Sequence, residues 1–179
     1  MHAFLLAPLL LINLWHAVVL LIARRNNKSW RSISESAVTN PMTLGVHRIV
    51  HILSASSFFV YAVWLWQVSH AEWLAVVLAI AALFDIIQVM TLSKRTRHYP
   101  VMSRDVHQIS AWLMAVAYLA FSLLYVLASG IGYGIIICYT ALLATVFGYS
   151  ALAKHKYFWL SQMIFFATVS GIIAVSGSL

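Results

Sequence analysis

The sequence predicts an all-α integral membrane protein, a compact bundle of about six transmembrane helices, and three observations lead there. Of its 179 residues 63% are hydrophobic and only 8% charged, too little polar surface for a water-soluble domain. The apolar residues come in long runs, each close to the roughly 20 residues that cross a hydrocarbon core. The lysines and arginines gather between alternate runs, the pattern of a chain that reverses through a membrane. Residues 1–179 therefore read as a single polytopic domain.

The first span covers about 3–23. No basic stretch precedes its apolar run and Arg24 and Arg25 follow it, so it reads as a retained helix with its N-terminus outside rather than as a signal peptide. The second, 43–66, follows Pro41, and the third, 72–92, is apolar except for Asp85 and Gln88. The fourth, 104–128, ends before the glycines of SGIGYG, which permit a tight outer turn into the fifth, 131–152. Only AKHKY separates the fifth from the sixth, 157–177, which makes these two antiparallel neighbours. A weak likeness between GVHRIVHIL and DVHQISAWL, each following a proline, hints at three helical-hairpin units.

Charge sets the expected orientation. Arg24, Arg25, Lys28 and Arg31 fall in the first loop, Lys94, Arg95, Arg97 and Arg104 around the third, and Lys154 and Lys156 in the fifth. Loops rich in lysine and arginine stay cytoplasmic, so both termini are expected outside a plasma membrane of the bacterial inner-membrane kind. The net charge of +7 is then explained by topology and by anionic membrane lipid as partner, without nucleic acid. The single cysteine, Cys138, allows no intrachain disulfide and no thiolate metal motif.

Against this background the ionisable residues inside the spans stand out, because such groups are expensive in lipid and mark pairing or function. A helix rises about 1.5 Å per residue, which puts His16, His51 and Asp85 at a common depth of about 12–14 Å from the cytoplasmic boundary. Two imidazoles and a carboxylate form a ligand set for zinc or non-haem iron. Asn13 and Gln88, each three residues from one of them, are candidate outer partners.

His47 and His107 are expected nearer the surface. They are candidates for proton transfer beside a metal, or for the axial ligands of a haem b whose propionates Arg48 and Arg104 would neutralise. A third alternative is a hydrogen-bonded network that only fixes helix packing. Ser54, one turn from His51, has no spacing specific to a nucleophile.

The polar groups lie toward the cytoplasmic ends, whereas a transporter needs groups near the midplane and access from both sides. The sequence thus points to a membrane metalloprotein, an enzyme handling a hydrophobic or interface-bound small molecule from the cytoplasmic side. A haem oxidoreductase, or a small transporter or channel for protons, metal ions or solutes, is the alternative, and a homo-oligomer is compatible with either.

Overall fold

The computed structural model describes residues 2–25, 33–38, 41–68, 70–92, 101–128, 142 and 158–176. Among the described residues all regular structure is helical: α1 (His2–Arg25), α2 (Ile33–Ala37), α3 (Pro41–Gln67), α4 (Glu72–Thr91), α5 (Val101–Ala128) and α6 (Phe158–Ser176). Five of the six expected spans coincide with long helices. The expected fifth span, 131–152, with Cys138, lies outside the described residues apart from the helical Leu142. The short α2 falls in the first basic loop, where five residues reading ISESA are too few to show a period.

Pro41–Gln67, Glu72–Thr91 and Val106–Ala128 are each long and apolar enough to cross a membrane. Leu10–Val19 and Trp159–Ser170 are shorter apolar stretches of α1 and α6. The outward faces carry Leu53, Val60, Val76, Ile80, Leu83, Trp112 and Val116, all exposed. Such a surface suits lipid and would aggregate in water.

The interior follows from residues spaced three and four apart, which share one helical face. On α3 the buried set includes His47, His51, Ser54, Phe58, Tyr61 and Leu65. On α4 it includes Leu78, Ala81, Ala82, Asp85 and Gln88. The stripe is polar at the N-terminal end of α3 and at the C-terminal end of α4, and the remainder is small or apolar. Fully buried Ala81 and Ala82 let the helices approach closely, the usual means of association where lipid removes the hydrophobic drive. Tyr118, Phe121 and Tyr125 of α5 complete the apolar core with Phe165 and Val169 of α6.

The chain reverses between α3 and α4 at His70, whose φ of 51° is left-handed and uncommon without glycine. The Ala71 amide donates back to the Leu65 carbonyl at 3.1 Å, and the Ala75 amide to that of Ala71. α4 packs most extensively on α3 and α5, whereas α1 packs against α3 and α6. Asn13 donates to Ser170 Oγ at 2.9 Å, tying α1 to α6, and the Ile33 amide donates to Gln162 Oε1, tying α2 to α6.

Candidate metal centre

His16 on α1 meets His47 and His51, which lie in the N-terminal half of α3. Their ring centroids lie 4.3 Å apart for His47 and His51, 5.5 Å for His16 and His51, and 6.4 Å for His16 and His47. One nitrogen from each can be chosen such that all three lie within 4.8 Å of one another. All three residues are at most 2% exposed. Phe166 closes the group from α6, 4.8 Å from His16 and 6.1 Å from His51 between ring centroids.

Of the two histidines expected at the shallower level, His47 joins His16 and His51 in one cluster, whereas His107 does not. Helical rise separates the backbones of His47 and His51 by about one turn, but residues four apart lie one above the other on a face, so the rings meet. Asp85 stands behind His51: His51 Nδ1 donates to Asp85 Oδ1 at 2.7 Å. Gln88 Nε2 donates to the same oxygen at 3.0 Å, as its position one turn along α4 suggested. Asn13, expected beside His16, bonds Ser170.

These contacts fix the tautomer of His51. With Nδ1 protonated toward the carboxylate, the neutral ring carries its lone pair on Nε2, which is buried and has no hydrogen-bond partner. A carboxylate that orients an imidazole in this way and raises its basicity is the usual outer support of a metal-binding histidine. Both nitrogens of His16 and Nε2 of His47 are likewise buried without a partner.

Unshared lone pairs on His51 Nε2 and on one His16 nitrogen, inside a buried cluster where neither has a partner, are costly unless something takes them up, and a cation does so. Tetrahedral zinc with bonds near 2.0–2.1 Å requires ligand nitrogens about 3.3 Å apart, so the three rings need to draw in by only about 1.5 Å. The residues therefore fit a metal ion. Asp85 would support it through His51.

The remaining candidates lie against the C-terminal end of α4. His107 Nδ1 donates to the Gln88 carbonyl at 2.7 Å, and the Arg48 guanidinium donates through Nη2 to the Leu92 carbonyl. Both donate to carbonyls at the C-terminal end of α4, where the Thr91 hydroxyl also donates to the Gln88 carbonyl at 3.1 Å. The Arg104 side chain lies outside the described residues.

Three features were missed in the sequence. Trp15 donates its indole N–H to His47 Nδ1 at 3.3 Å, and a tryptophan next to His16 gave no separate signal. Tyr118 is fully buried on α5 with its hydroxyl beside the Asp85 carboxylate. Phe166 lies far away in sequence. An apolar groove of about 370 Å³ between α3 and α4, lined by Phe59, Ala62, Trp66 and Ala79, belongs to the opposite end of these helices and does not join the histidines.

No protein family, no characterised protein and no solved structure matches this chain.

Proposed function

We propose that the protein is an integral-membrane metalloprotein, a metal-dependent enzyme that takes a hydrophobic or interface-bound substrate from the cytoplasmic side. The observation that supports this most strongly is the trio of buried imidazoles with unpartnered nitrogens, one of them backed by a buried carboxylate. Three histidine ligands leave a fourth position of a tetrahedral ion for water or substrate. The all-imidazole set favours zinc over non-haem iron, which is usually held by two histidines and a carboxylate.

The ion would act as a Lewis acid and lower the pKa of a bound water to about 7. The chain's own residues would do the rest. His51 is held in one orientation by Asp85, and Gln88 keeps that carboxylate in place. His107, half-buried at the inner end of α5, would pass protons between the site and the cytoplasm. Six crossings with the basic loops cytoplasmic and both termini outside complete this reading, supported by the distribution of lysine and arginine.

The test is elemental analysis and an absorption spectrum of the chain, both in membranes and after detergent extraction, followed by replacement of the ion with cobalt(II). One zinc or iron per chain is expected, together with a cobalt visible spectrum that changes on adding azide, as an open position requires. A Soret band lost on His47→Ala and His107→Ala would assign haem b instead. Saturable solute flux in liposomes without chemical conversion would assign transport. Absence of any metal from folded protein in membranes would overturn the metalloprotein reading.

A further inference from the structure

The hydrogen bond from Trp15 to His47 bears directly on how the site loads. An indole N–H is a donor only, so His47 Nδ1, 3.3 Å away, must present its lone pair to it. The neutral His47 ring then carries its proton on Nε2, the nitrogen that is buried without a partner. His47 thus differs from His51, whose contact with Asp85 leaves Nε2 unprotonated and ready to bind.

An ion coordinated by His47 Nε2 requires the proton there to move to Nδ1, which would set two N–H donors against each other across the Trp15 contact. Coordination through Nδ1 would use the same lone pair that Trp15 occupies. By either nitrogen, binding of the ion by neutral His47 excludes the Trp15 bond. Loss of the ring's one N–H proton, leaving an imidazolate with a lone pair on each nitrogen, would preserve it, and the experiment below detects that case.

We propose that Trp15 is a positioning residue that competes with the metal ion for His47, holding the ring in a non-ligating tautomer until the ion displaces the indole. This rests on the metalloprotein reading of the trihistidine site. A neutral hydrogen bond is weak against a metal–imidazole bond, so the ion wins and the indole is released; the competition lowers affinity without abolishing it. The net value of such a bond corresponds to about 2- to 10-fold in a binding constant. Because Trp15 belongs to α1 while His47 belongs to α3, loading the site also removes one link between these two helices.

The experiment uses the full-length chain in detergent, with zinc titrated against a chromophoric chelator. Trp15→Phe is expected to bind zinc about 2- to 10-fold more tightly than wild type. In the wild type labelled with ¹⁵N-indole, the Trp15 N–H signal, assigned by its loss in Trp15→Phe or, if that variant does not fold, in Trp15→Tyr, should move upfield on adding zinc. Without zinc, the ¹⁵N shifts of His47 should show an unprotonated Nδ1 in the wild type. A wild-type chain that binds zinc while the indole signal stays in place, with Trp15→Phe binding equally or less tightly, overturns the competition but leaves the metal site standing. A wild-type chain that binds no zinc, with His47 Nδ1 still unprotonated, removes the metal site and the competition together.

Discussion

Asp85 is fully buried among apolar helices, and the cost of its charge sets the requirements on its neighbours. An acidic residue at the centre of a membrane helix costs about 2.5–3.5 kcal/mol on insertion scales. Two donors to one carboxylate oxygen, at about 1.5–3 kcal/mol each, are enough to offset that. His51 and Gln88 are those donors. Asp85→Asn keeps the shape but removes the charge that orients His51, and zinc affinity is expected to fall about 10- to 100-fold, read by competition with a chelator. Gln88→Leu, which removes only the outer donor, should cost less than Asp85→Asn in the same assay; an equal loss would mean that Gln88 acts on the site by another route.

At the scale of the helix, the site depends on how closely α3 and α4 approach. Ala82 is fully buried on α4, whereas its neighbour Leu83 is 47% exposed on the outward face. Ala82→Leu forces extra carbons into a packed contact and is expected to destabilise the bundle by about 1–3 kcal/mol, lowering the midpoint of thermal unfolding in detergent. Leu83→Ala should leave that midpoint nearly unchanged. The C-terminal end of α4 offers a second check. Arg48→Met leaves the Leu92 carbonyl without its side-chain donor, and hydrogen exchange in the last turn of α4 is expected to accelerate while exchange near Leu78 does not.

At the scale of the molecule, much of this architecture was legible from one rule, that a membrane helix is a long apolar run bounded by polar loops. That rule located α1, α3, α4, α5 and α6, and depth along those runs grouped His16 and His51 at one level with Asp85. It could not place His47 with them, because rise along a helix measures backbone positions while the contact is made by side chains leaning along a face. Rotation about the helix axis is also invisible to depth, so the roles of Arg48 and His107 as donors at the end of α4 were not foreseen. Trp15 and Phe166 reach the site only through the packing of α1 against α3 and of α6 against α1 and α5. The orientation is open to a simple check: cysteines introduced at Lys28 and at His70 should be labelled from opposite sides of the membrane, the first only from the cytoplasm.

The central claim is that His16, His47 and His51 together hold a metal ion, and the ion-to-chain ratio after equilibrium dialysis against limiting zinc measures it most directly. One ion per chain is expected in the wild type and in His70→Ala, whose histidine lies exposed in the turn between α3 and α4, with a marked loss in each of His16→Ala, His47→Ala and His51→Ala. No ion in the folded wild type, or an unchanged ratio in all three variants, would contradict it.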